Sequence, residues 1–279
     1  HKSPVIALMQ LDAGASGVCC AKLSEAEIFA DAGITDIRLP YPVNPSNADR
    51  VLSLLDRVTL SIIVDDEAVA AEWSRAMTAA GRTLNVLVKV DVGFHRCGVN
   101  PDASDVVGAI TRIAALPGLS FRGLLSHAGQ AYNAESPYAL AAITARETGI
   151  MTGLATRLRT SGVAVEEISV GSTPTASFAP SQRGITEMRP GNYVFLDRTQ
   201  VGLAAATYAN CALTIVATVV SRPAPDRAIL DCGSKTLTSD GARGFTPLPG
   251  FGAVFVDLDS VEPDPTIVID RVSEEHAVC

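Results

Sequence analysis

Over the first two thirds of the chain, short apolar runs alternate with amphipathic stretches, the rhythm of βα units. Gly17–Ala21 (GVCCA) predicts a strand. A helix follows, opening at Ser24 with Glu27 three residues on, a capping-box spacing, and closing near Gly33. Further strands are expected at Asp36–Tyr41, Val58–Val64, Leu84–Val90, Phe121–Ser126, Glu167–Val170 and around Glu187–Arg189. Helices are expected over Asp66–Ala80 and Asp102–Ala115, with a long helical stretch ending near Gly162. Near-continuous β-branched runs at this spacing predict an α/β fold, a parallel sheet covered by helices. After Gln200 the rhythm changes to Cys211–Ser221, Ala228–Asp231, Ala253–Val256 and Thr266–Val272, separated by Pro- and Gly-rich turns without helical patterns. This predicts a second, mainly antiparallel β domain, with residues 1–205 in the first domain and 206–279 in the second.

Composition narrows the function classes. The 279 residues are 47% hydrophobic and 19% charged, which excludes disordered and fibrous chains. A net charge of -8 repels phosphate backbones and anionic headgroups, so neither nucleic acid nor a membrane surface is an expected partner. No run approaches the roughly 18 apolar residues of a membrane span. Cys19, Cys20, Cys97, Cys211, Cys232 and Cys279 lie far apart or alternate faces, with no CxxC pair and no signal peptide, as expected of reduced thiols in a cytoplasmic protein.

Polar residues and glycines gather where the predicted strands end, which in a parallel barrel is where an active site is built. Gly171-Ser172-Thr173 offers a backbone that can approach an anion closely, with two hydroxyls, and Gly191-Asn192 offers further N–H donors. Together they read as a phosphate cradle, although Gly-Ser-Thr-Pro is also an ordinary turn. His127 follows an apolar strand directly; it could stack on a planar cofactor, shuttle protons, or simply pack against a carbonyl. Arg96 and Arg189 are either buried ion-pair partners or donors to an anionic or aromatic nitrogen group. For Arg96, beside Asp91, the structural role is expected, and His95 reads as a loop residue.

VLVKVDVGFHRCGV, GLLSHAGQAY, ISVGSTPT, EMRPGNYVFLD and SRPAPDRAILDCGSKTL, in this order and spacing, resemble the D-threonine aldolase and D-serine dehydratase family of alanine racemase-like pyridoxal phosphate enzymes. The resemblance covers essentially the whole chain. It implies a (β/α)8 TIM-type barrel followed by a β domain, and a cytoplasmic homodimer acting on a D-amino acid. It further implies that Gly171, Ser172, Thr173, Gly191 and Asn192 hold the cofactor phosphate and that His127 stacks on the pyridine ring. Tyr132 and Tyr193 would lie close to the cofactor, and Arg189 would face the ring nitrogen.

Two departures from the family pattern stand out. The family's Schiff-base lysine is the first lysine of a Lys-x-His-Lys segment, and His1-Lys2 matches only its last two residues. That lysine, and with it the first barrel strand, is therefore expected before His1, leaving Lys2 as the nearest substitute. The family's divalent metal, zinc or manganese, sits on a His-x-Cys or His-x-Asp pair; His276 and Cys279 are wrongly spaced for it, so no metal ligand is expected in this chain. The expected activity is cleavage or dehydration of a D-β-hydroxy amino acid, with aldolase and dehydratase undecided. An amino acid racemase, an inactive fragment and a pyridoxal phosphate carrier are the alternatives.

Overall fold

The computed structural model describes residues 2–178, 181–257 and 259–279. The chain divides into two compact units. The first comprises His1–Gly129, Ile143–Ser172 and Phe178–Pro190; the second comprises Gln130–Ala142, Thr173–Ser177 and Gly191–Cys279.

Seven strands build the first unit: β1 (Val18–Cys19), β2 (Asp36–Pro42), β3 (Thr59–Val64), β4 (Leu84–Lys89), β5 (Leu119–Leu125), β6 (Glu167–Val170) and β7 (Glu187–Met188). They pair in sequence order, every neighbour parallel. The sheet curls into a partial barrel, because Arg38 on β2 reaches Glu167 on β6 (2.5 Å) and Glu187 on β7. Helices α1 (Pro4–Asp12), α2 (Leu23–Asp31), α3 (Ala48–Leu55), α4 (Glu67–Ala79), α5 (Val106–Ala114) and α6 (Pro137–Thr160) alternate with the strands, α6 beginning in the second unit. The core lies between helices and sheet, with Trp73, Ile37, Leu60 and Val86 fully buried. The Trp73 indole keeps its donor satisfied at the Val43 carbonyl (3.1 Å).

Strand positions agree with the hydrophobic pattern, whereas two helix starts do not. The Ser24–Glu27 capping box does not form: α2 opens after Lys22, and Glu27 instead makes a two-bond pair with Arg50 on α3 (2.8 Å each). Glu25 takes over at the N-terminus, accepting from the Ala21 N–H (2.8 Å). The helix expected from Asp102 begins at Val106, because the Asn100 side chain accepts the Asp102 N–H (3.0 Å) and holds a turn there.

On β5, Gly123 has φ +154, and a Cβ there would drive into the Glu167 backbone of β6, at the point where the β4–β5 register shifts. Gly123→Ala is expected to lower stability by roughly 2–4 kcal/mol, since both conformation and space oppose the methyl group. Urea unfolding of the two proteins checks this; a loss below about 0.5 kcal/mol would show that the strands adjust freely.

The second unit carries an antiparallel sheet of β8 (Val219–Ala224), β9 (Arg227–Leu230), β10 (Arg271–Val272) and β11 (Ala277–Val278), in the order β10-β11-β9-β8. The mainly antiparallel second region is thus present, with shorter strands than expected. Of Cys211–Ser221 only the last residues pair, Ala253–Val256 forms no strand, and Thr266–Val272 pairs only at its end. Asp264 explains part of the loss, since its carboxylate accepts from the Thr266 N–H (2.8 Å) and hydroxyl (2.6 Å) and fixes a turn where a strand was expected. Short helices α7 (Thr173–Ala176), α8 (Arg198–Gly202) and α9 (Ser234–Leu237) complete the unit. All six cysteines are free thiols, and no helix among the described residues is long and apolar enough to cross a membrane.

Candidate active site

The carboxyl ends of β4 to β7 gather the polar groups of the first unit. Alternation along β4 puts Lys89 on the same face as Asn85 and Leu87, away from Val86 and Val88. The lysine is 3% exposed, and its Nζ has no hydrogen-bond partner among the described residues. Burial, reinforced by the nearby Arg189 guanidinium, pushes its amine down to about 7. Arg189, one residue past β7, has a side chain 7% exposed. Its Nε donates to the Ser169 hydroxyl (2.6 Å) and its Nη2 to the Ser126 carbonyl, with Glu187 3.6 Å away. The guanidinium therefore braces the ends of β5, β6 and β7.

His127 follows β5 and places Nδ1 2.6 Å from the Gly171 carbonyl. A carbonyl only accepts, so the proton sits on Nδ1 and the Nε2 lone pair is left for other use. Burial, aided by the positive charge of Lys89, Arg96 and Arg189, pushes the imidazole down to about 4 against the pull of the Gly171 bond, so the ring is neutral at physiological pH. Phe94 packs edge-on against it with ring centroids 5.8 Å apart. Gly171 is required sterically, because a Cβ there would lie 2.8 Å from the Arg189 carbonyl oxygen. Ser172 beside it is buried.

Arg96 departs from expectation. It does not pair with Asp91; its guanidinium lies over the exposed Phe94 ring at 5.2 Å. The Asp91 carboxylate is occupied by the N–H groups of Gly93 (2.9 Å) and His95 (3.0 Å) and by His95 Nδ1 (2.8 Å). These bonds outweigh the partial burial of Asp91 and hold its carboxyl below the usual range. His95 is the exposed loop residue that was expected, at φ +54.

The second unit holds the other expected residues. Tyr193 donates its N–H to the Thr173 hydroxyl (3.2 Å), and burial pushes the Tyr132 phenol up, against hydrogen bonds that include one with Thr173. Asn192 donates to Asp197 (2.7 Å), while its Oδ1 is buried without a partner among the described residues. At Gly191 an added Cβ would meet nothing within 4 Å, so that position does not demand glycine on steric grounds. The structure thus brings His127, Gly171 and Arg189 into one network in the first unit, and Tyr132, Thr173 and Tyr193 into one in the second.

The alanine racemase N-terminal domain family matches residues 1–199, and the family described as "Putative serine dehydratase domain" matches residues 212–279. D-threonine aldolase of Arthrobacter sp is 38% identical over 282 residues, covering 100% of this chain and 70% of the relative. The solved D-threo-3-hydroxyaspartate dehydratase from Delftia sp. HT23 superposes with a TM-score of 0.91 at 34% identity, covering 99% of this chain and 73% of that one. D-threonine aldolase from Filomicrobium marinum superposes with a TM-score of 0.80 at 31% identity, over 100% of this chain and 71% of that one. The chain belongs to the alanine racemase-like D-threonine aldolase and D-serine dehydratase family. Members of this family are pyridoxal phosphate enzymes, and the first unit suits such a cofactor: a neutral imidazole with its ring fixed, a glycine pressed against backbone, and a buried amine with no partner of its own.

Sequence reading missed several members of this network. Lys89 is the one charged residue of the buried strand β4, and that is its signal. Glu147 on α6 is another: Leu140, Thr144, Glu147, Met151, Leu154 and Leu158 recur at helical spacing and are all buried, so a carboxylate stands in an otherwise core-facing stripe. Ser126 and Ser169 carry no sequence signal beyond their place at strand ends. Lys2, expected as the nearest substitute lysine, gives its amine to Glu25 (2.6 Å), whereas Lys89 is the lysine buried at a strand end. His1 lies outside the described residues. For a metal the fit is absent: among the described residues no group of three or more His, Cys, Asp or Glu could hold one. Cys279 is paired through its backbone with Ala228, and His276 accepts the Ser273 N–H (2.8 Å) in the β10–β11 turn.

Proposed function

We propose that this protein is a pyridoxal phosphate-dependent lyase of D-β-hydroxy amino acids, of D-threonine aldolase or D-serine dehydratase type. The observation that carries the reading is the cluster at the strand ends of the first unit, where buried Lys89, the enclosed Arg189 guanidinium and neutral His127 occur together in a chain 38% identical to a D-threonine aldolase. Bound pyridoxal phosphate supplies an electron sink for a bond broken at the Cα of an amino acid. In this reading the neutral His127 ring offers its flat face to the pyridine, and Arg189 orients the ring nitrogen. The phosphate role of Gly171, Ser172, Thr173, Gly191 and Asn192, and the place of Tyr132 and Tyr193 near the cofactor, enter this reading from the family resemblance alone. Lys89, whose amine titrates near neutrality, can accept or return a proton at Nζ. A divalent metal, zinc or manganese, belongs to the same reading on family grounds only. So do the homodimer and the cytoplasmic location, the latter consistent with six free thiols.

The test incubates the protein, expressed from its full reading frame, with D-threonine, D-serine and D-threo-3-hydroxyaspartate, with and without chelator. Glycine plus an aldehyde is expected from an aldolase, and a keto acid plus ammonia from a dehydratase. Racemisation of alanine with no chemistry at the β carbon, unaffected by chelator, would overturn the lyase reading.

A further inference from the structure

The mechanism gives no task to Glu147, although it is the most deeply buried carboxylate of the first unit described above. It is 0% exposed in the middle of α6. Its Oε1 accepts the Ser126 hydroxyl (2.6 Å), and its Oε2 has no partner among the described residues. Burial pushes its carboxyl up; the Ser126 hydroxyl, the positive charges of Arg189 and Lys89, and the Ala128 N–H oppose that push. The two hydrogen-bonding residues, Ser126 and Ala128, flank His127 in sequence. Ser126 is held a second time, through its carbonyl, by Arg189. A carboxylate is costly to bury, and core packing at this helical position would be met by leucine or methionine. What Glu147 adds is direction, since it takes the side-chain hydroxyl of Ser126 on one side of the histidine and the Ala128 N–H on the other.

We propose that Glu147 is the positioning residue for His127: by gripping Ser126 and Ala128 it fixes the backbone so that Nδ1 meets the Gly171 carbonyl and the ring stays in one tautomer. The inference concerns the shape of the protein before any cofactor binds. It gains catalytic meaning only through the proposed stacking role of His127, and its test does not depend on that role.

The chain has 4 histidines, so the imidazole nitrogens are resolvable by long-range 15N NMR of the histidine-labelled protein, with His127→Gln supplying the assignment. In the unaltered protein His127 is expected as a single Nδ1–H tautomer, neutral down to about pH 5. Glu147→Gln keeps a side-chain oxygen that accepts the same two donors, and is expected to preserve the tautomer. Glu147→Ala removes the carboxylate oxygens that accept them; His127 is expected to exchange between tautomers, its two ring-nitrogen shifts moving toward their mean. Ser126→Ala deletes one bond without opening a large cavity and is expected to give a smaller shift in the same direction, so it answers the question if Glu147→Ala does not fold. A single Nδ1–H tautomer unchanged in folded Glu147→Ala, or in Ser126→Ala where the former fails to fold, would overturn the proposal. Glu147→Gln that loses the tautomer as fully as Glu147→Ala would overturn it as well. Because the readout is taken without cofactor or substrate, a failed lyase assay leaves it intact, and its own failure leaves the lyase reading intact.

Discussion

Lys89→Met is expected to make the protein more stable, by on the order of 2–4 kcal/mol at pH 7. The amine is buried without a partner, and burial brings it from 10.5 to about 7. Below about pH 7 the folded and unfolded chains both carry the charge, and folding bears the full cost of taking it out of water. Between pH 7 and 10.5 only the unfolded chain holds the proton, so the stability of the unaltered protein rises with pH across that window. Methionine has nearly the same shape and no charge, so the variant lacks that rise. Urea unfolding at pH 7 and pH 9.5 for both proteins decides it. A variant no more stable at pH 7, or one with the same pH slope, would mean that the amine finds water or a partner.

Arg189→Leu has the opposite sign and similar size. Its guanidinium bonds Ser169 and the Ser126 carbonyl and lies 3.6 Å from the Glu187 carboxylate, so leucine strands buried acceptors on two strand ends and leaves Glu187 with less compensation. Breaking one side of such a buried charged network costs about 3–5 kcal/mol, or a fall of roughly 10 °C in Tm for a protein of this size. Arg189→Lys keeps the charge and loses the fork that spans the strands, and should fall in between. Thermal unfolding followed by circular dichroism measures both. A leucine variant within about 1 kcal/mol of the original would show that the arginine is there for a ligand alone.

The parallel sheet was legible in the sequence because its strands are buried on both faces and announce themselves as apolar runs, as β3 does with Leu60, Ile62, Ile63 and Val64. Helix starts were less legible. Ser24 and Glu27 carry a local cap signal, but a long-range pair with Arg50 outcompetes it, and nothing near residue 24 reveals that partner. The second region was legible in kind and poorly legible in extent, because Ala253–Val256 has strand composition and no ladder partner, while Ala277–Val278 pairs despite its short, polar setting. Candidate residues at strand ends, such as His127, Gly171 and Arg189, stand out from turn chemistry. Lys89 and Glu147 carry a different signal, a single charge within the apolar pattern of β4 and of the core-facing stripe of α6, and the packed neighbours turn that signal into a buried charge.

The brace from Arg38 also constrains how the chain reaches its fold. Glu167 and Glu187 lie 129 and 149 residues further along, so a chain synthesised from its N-terminus exposes the β2 arginine long before either carboxylate exists. Until β6 and β7 arrive, that charge faces the inner side of an open, unclosed sheet whose edge can still pair with strangers. The strands pair in the order in which they are made, but the bonds from Arg38 that curl the sheet form only once the last two strands have been synthesised.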